Sequence, residues 1–158
     1  MTKRYLLHMS LFLINFVCLG WIILSQTEVR ENCSESLKGV RYILFRKIPL
    51  IERDDLVAIR GHREDHVGEL QKLPYTKRVI GLPGDSISNS HGIHINNKSL
   101  SLLKHDRYGK PLTPLSLTHV PQGFLFVAGD SHNSFDSRYE EFGLVPFQKI
   151  MGKAIFTW

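Results

Sequence analysis

From Tyr5 to Ser25 about 21 residues are drawn mostly from Leu, Ile, Phe, Val, Cys, Gly and Trp. A run this long and apolar must satisfy its own backbone, and a helix does so within a single segment. The pattern predicts one membrane-crossing helix, with residues 1–26 as an anchor and 27–158 as the remaining domain. His8, Ser10 and Asn15 dilute the run, so a cleaved secretory leader is the competing reading. Against cleavage, the run exceeds the ~7 to 15 apolar residues usual in a leader, and no small-x-small site follows it. Lys3 and Arg4 precede the run and a mixed Glu28-Arg30-Glu31 flank follows, which puts the N-terminus in the cytoplasm and the domain outside.

After a polar linker from Gln26 to Glu35, helix periodicity is weak. Short apolar stretches recur between Gly, Pro, Asn and Asp: Tyr42 to Phe45, a turn and strand at Asp54 to Ile59, Arg78 to Leu82, Gly92 to Ile95, Gly123 to Ala128, and Lys153 to Trp158. The expected fold is a mainly β domain of one modest core. A hairpin should turn near Asn96-Asn97, and the polar residues from Lys104 to Lys110 should form a surface excursion. The formal charge of +5 is spread along the chain with acids interleaved, so no nucleic-acid stripe is present, though a basic surface suits anionic lipid headgroups.

Lys77 stands out chemically. It sits in the strand-like stretch Tyr75-Thr76-Lys77-Arg78-Val79-Ile80-Gly81-Leu82, just before the turn Pro83-Gly84-Asp85. Burial there would strip water from its ammonium group, lower its pKa and make the neutral amine a base. The plainer reading is a surface lysine beside Arg78 with its stem lying on apolar surface.

The stretch Lys77-Arg78-Val79-Ile80-Gly81-Leu82-Pro83-Gly84-Asp85 resembles the lysine box of the type I signal peptidases, membrane-bound Ser/Lys endopeptidases. Downstream, Gly129-Asp130-Ser131-His132-Asn133-Ser134-Phe135-Asp136-Ser137-Arg138-Tyr139 is similar to the same family's Gly-Asp...Asn-Ser-x-Asp-Ser-Arg segment, and Phe142-Gly143-Leu144-Val145-Pro146 to its closing segment. Two long motifs in the right order are far more specific than one short pattern. Upstream, Asn32-Cys33-Ser34-Glu35-Ser36-Leu37-Lys38-Gly39-Val40-Arg41-Tyr42 is similar to the Asn-x-Thr-x-Ser-x-Pro-x-Gly-x-Tyr segment of the conjugative-transfer (TraF-type) branch. Here the proline position holds Lys38 and the glycine stands one place early at Gly39, which alters the loop presenting the serine.

The resemblance implies an antiparallel β catalytic domain and a set of roles. Ser36 is the nucleophile, Lys77 its base, and Ser34 with the Ser36 amide the oxyanion hole. Ser134 supports the lysine, Asp136 and Arg138 pair to hold the loop, and Tyr75 borders the bound peptide. The implied enzyme is a single-pass protein of the bacterial inner membrane with its domain in the periplasm. Its substrate is a precursor protein, a conjugative pilin or other conjugation-system precursor, with a general secretory preprotein as the alternative, and it needs no cofactor. No metal-ligand spacing appears.

Other readings compete. Cys33 with His132 would be a thiol nucleophile and base, though no cysteine-peptidase signature surrounds them. A membrane-anchored β domain that holds a pilus or secretion component without catalysis is the other, favoured by the altered loop at Lys38-Gly39. Cys18 falls within the apolar run and Cys33 beyond it, so no disulfide framework is expected.

Overall fold

β-Branched and aromatic residues between turn formers pair here into antiparallel strands. The computed structural model describes residues 3–32, 37–47, 50–61, 74–89, 92–106 and 108–158. Helix α1 (Lys3–Ser25) comes first and is followed by β1 (Thr27–Glu31), β2 (Tyr42–Arg46), β3 (Leu56–Ile59), β4 (Tyr75–Gly81) and β5 (Ile87–Ser88). Then come β6 (Ile93–Ile95), β7 (Lys98–Leu100), β8 (Phe124–Ala128), β9 (Val145–Pro146), a 3-10 turn at Phe147–Lys149 and β10 (Ile150–Thr157). Among the described residues these make a seven-stranded sheet in the order β1-β2-β10-β3-β4-β8-β9 and a three-stranded sheet β5-β6-β7.

The period of two along a strand explains how β3 serves two cores at once. Val57 and Ile59 pack with Val79, Leu125, Val127, Phe142 and Val145. Leu56 and Ala58 point the other way, into Leu37, Ile43 and Phe45. A third cluster joins the two sheets, with Ile80, Phe126 and Ala128 of the large one against Ile87, Ile93 and Ile95 of the small one. Gly81 lies where they meet: a Cβ there would stand 2.9 Å from that of Phe126, so no larger residue fits unshifted.

The Pro83-Gly84 turn is as its residue types imply. Gly84 takes φ 91°, and the Asp85 carboxylate accepts from the Leu82 amide at 2.6 Å. Arg53 grips the same carboxylate through two nitrogens at 2.7 and 3.0 Å. In the β6–β7 hairpin only Asn96 of the expected pair takes positive φ, at 50°.

Several expectations need correction. The linker from Gln26 to Glu35 is in part a strand: Thr27 to Glu31 pairs with β2 as an edge, which few apolar residues are needed to hold. β4 runs from Tyr75, so Lys77 lies on a strand as its setting implies, and the strand extends three residues ahead of the Arg78 to Leu82 stretch because Tyr75 to Arg78 pair with β3. The expected anchor is a helix along its whole length, and Phe12, Phe16, Leu19, Trp21 and Leu24 are exposed on it. Among the described residues no helix is long and apolar enough to cross a membrane. Leu6, Leu7 and Ile23, three of the apolar residues on which the expectation drew, have side chains outside that description. Cys18 is exposed on α1, and Cys33 lies outside the described residues.

Candidate active site

Pairing of Val57 with Lys77 and of Val79 with Val127 puts the lysine in line with apolar neighbours on one face of the large sheet. Its side chain is 4% exposed, and Nζ donates to Ser134 Oγ at 2.6 Å. Burial pulls its pKa down from 10.5 to about 8; the Asp136 carboxylate works against that shift and the Arg138 guanidinium adds to it. Near that pH a large share of the amine is neutral and able to take a proton.

Ser134 sits on the loop from Gly129 to Tyr139, which is braced from within. Asp136, fully buried, accepts from the Gly129 amide at 2.9 Å and from Arg138 Nε and Nη2 at 2.8 and 2.9 Å. Arg138 in turn donates to the carbonyls of Ser131, His132 and Ser134 at 3.3, 3.2 and 2.9 Å. A guanidinium presents several donors in a fixed fork, so one side chain fixes three points of the loop. Ser137 adds a further tie: its hydroxyl accepts from the Val127 amide and donates to the Gly143 carbonyl at 2.8 Å.

Arg78, next to Lys77, reaches the same loop from the opposite face of β4. It binds Asp130 through two nitrogens at 2.7 and 2.9 Å and donates to the Asp54 carbonyl at 3.0 Å. That bond is the main reason the Asp130 carboxyl is held below its usual range. Consecutive residues of one strand therefore hold the loop at Ser134 and at Asp130. The sequence reading gave Asp130 no role; its place in the Gly-Asp pair of the motif was the available signal.

Ser34 and Ser36 lie outside the described residues, as does Cys33. The residues on either side of them are tied together. Asn32 Nδ2 donates to the carbonyls of Leu37 and Val40 at 3.3 and 2.8 Å, and its amide donates to Arg41 at 2.8 Å. Leu37 is buried in the core, and Gly39 turns the chain with φ 71°. A glycine one place early is what a left-handed residue at that position requires.

Tyr75 is half-buried, its ring edge-on to Phe142 at 6.3 Å. Phe142 meets Phe135 edge-on at 5.5 Å, and Phe135 stacks on Tyr139 at 6.4 Å, so an aromatic group walls the loop that carries Ser134. His132 is exposed and contributes its carbonyl to Arg138. Among the described residues no group of three or more His, Cys, Asp or Glu side chains is placed to hold a metal.

A β scaffold that withdraws one lysine from water, sets a serine hydroxyl against its amine and braces that serine with a buried ion pair is a site for a neutral amine. The family described as signal peptidase, peptidase S26, matches residues 2–158, and the chain belongs to it. Curated relatives include signal peptidase I of Bacillus caldolyticus, 32% identical over 122 residues that cover 68% of this chain and 62% of the relative. Signal peptidase I T of Bacillus subtilis (strain 168) is 34% identical over 119 residues, covering 68% of this chain and 57% of the relative. This chain thus spans about three-fifths of the length of such relatives. A crystal structure of a signal peptidase I from Enterococcus faecalis V583 covers 68% of this chain and 98% of its own, with 29% identity and a TM-score of 0.46.

Proposed function

We propose that the chain is a membrane-anchored serine endopeptidase of the signal peptidase I type, using Ser36 as nucleophile and Lys77 as base. The observation that carries this reading is the buried Lys77 amine 2.6 Å from Ser134, with a pKa brought down to about 8. Neutral Lys77 takes the proton of Ser36 as its oxygen bonds to the scissile carbonyl carbon. The oxyanion is held by the Ser36 amide and the Ser34 hydroxyl. When the carbon–nitrogen bond breaks, the Lys77 ammonium returns the proton to the departing amine. Water then attacks the ester, giving one proton to Lys77, and Ser36 recovers its own on leaving. Tyr75 borders the substrate, whose extended backbone would pair along strand edges near Ser36 and Tyr75.

The substrate class is a precursor protein. The Asn32 to Tyr42 segment favours a conjugative pilin or related precursor, whereas the relatives named signal peptidase I favour general secretory preproteins. Precursors of both kinds should be incubated with the full chain and with Ser36→Ala, and the products weighed. Cleavage lost in the variant supports the reading and identifies the substrate. Equal cleavage by both proteins removes Ser36 from the chemistry, and no cleavage by either favours a non-catalytic β domain.

Anchoring through α1 belongs to the same proposal. A helix of 23 residues is roughly 34 Å long at ~1.5 Å per residue, enough for a hydrocarbon core of ~30 Å. With Lys3 and Arg4 inside, the domain would lie in the periplasm of a bacterial inner membrane. Protease added to spheroplasts should digest the domain and spare the N-terminus. Full protection of the domain would contradict that topology.

A further inference from the structure

Residues 101–106 and 108–116 lie outside both sheets, and these two stretches of excursion close around the turn from Arg138 to Glu141. On one side, Arg138 Nη1 donates to the Ser101 carbonyl at 2.8 Å, and the Leu103 amide donates to the Tyr139 hydroxyl at 2.9 Å. On the other, the Leu115 amide donates to the Arg138 carbonyl and the Glu140 amide to the Thr113 carbonyl, each at 2.9 Å. Carboxylates fasten the return: Glu140 accepts from the Ser116 amide and hydroxyl at 2.7 and 2.6 Å, and Glu141 from the Thr113 amide at 3.0 Å. Tyr139 is fully buried, so its hydroxyl has no bulk water to fall back on.

Arg138 is the guanidinium that also holds the carbonyls of Ser131, His132 and Ser134. Its remaining reach goes to Ser101, so whatever fixes the excursion fixes the arginine, and the arginine fixes the serine against Lys77. We infer that the excursion is a clamp on the lysine site, with Tyr139 and Glu140 as positioning residues that set the Ser134 hydroxyl against the Lys77 amine. Its consequence for function rests on the Ser/Lys reading above, but the geometry does not.

Loosening the clamp admits water beside the lysine and weakens the desolvation that lowers its pKa. The charged groups acting on the amine, Asp136 and Arg138, remain in every variant below. The test uses the full chain in detergent with carbon-13 in its lysines, the Lys77 Cε resonance being assigned by its loss in Lys77→Arg. In the native protein this resonance should titrate near 8, and in Tyr139→Phe and Glu140→Ala its midpoint should rise toward 10.5. Glu140→Gln keeps an acceptor oxygen for Ser116 and should keep the native midpoint. In cleavage assays kcat should fall about 3- to 10-fold in the two loosened variants, the scale of one net hydrogen bond, with KM within about twofold.

An unchanged midpoint in folded Tyr139→Phe, or equal midpoints in Glu140→Ala and Glu140→Gln, would overturn the clamp. Should Tyr139→Phe not fold, the Glu140 pair decides. Because the resonance needs no substrate, a shifted midpoint in a protein that cleaves nothing would preserve the clamp and discard the peptidase.

Discussion

Lys77→Arg is expected to lose cleavage by about a hundred- to ten-thousand-fold while the protein still folds, since a positioned general base contributes on that scale. The variant keeps the positive charge, yet a guanidinium does not release its proton in the working range, so it cannot accept one from a serine. Native activity should rise with pH through a single ionisation near 8, where the buried amine becomes neutral, well above the ~6.5 of an ordinary histidine. His132→Ala should cost little, because the exposed imidazole is not what the loop uses. Initial rates against pH for the three proteins check this. Near-native cleavage by Lys77→Arg, or a folded but inactive His132→Ala, would contradict it.

The second large effect is on stability. Asp136→Ala should destabilise the domain by about 3–5 kcal/mol, because Arg138 would remain buried with its counter-charge removed. Replacing both partners with apolar residues of similar volume should cost less than the single change, since no unpaired charge is left behind. Urea unfolding of the single and double variants measures the difference through the shift in midpoint at constant slope. An Asp136→Ala midpoint equal to the native one would mean that the pair does not hold the loop.

The contacts that the motifs imply were legible, including the Lys77–Ser134 bond across the chain, and the contacts beyond them were not. Lys77, Ser134, Asp136 and Arg138 fall in two contiguous motifs whose order is readable, and the folded chain brings them together across 57 residues. Arg78 with Asp130 and Tyr139 with Leu103 are separated by 52 and 36 residues; Arg78, Asp130 and Tyr139 stand in the motifs, but nothing in the sequence pairs them with these partners. β1 was hidden because Thr27-Glu28-Val29-Arg30-Glu31 has a single apolar residue, and an edge strand held by ladder bonds needs no more. β5 and β9 are only two residues each, too short for any alternation to register. β3 was readable in position but not in depth: four consecutive buried residues signal a strand covered on both faces, which periodicity alone does not distinguish from a helix segment.

The central claim is that acyl transfer passes through Ser36 with Lys77 as its base. The most direct measurement is to quench the full chain during turnover of a cleaved precursor at low pH, digest it, and locate the acyl group by mass. The account predicts the precursor's N-terminal fragment as an ester on Ser36, absent from Ser36→Ala and from Lys77→Arg. An acyl group on Cys33, or turnover that leaves Ser36 unmodified while Ser36→Ala stays active, would contradict it.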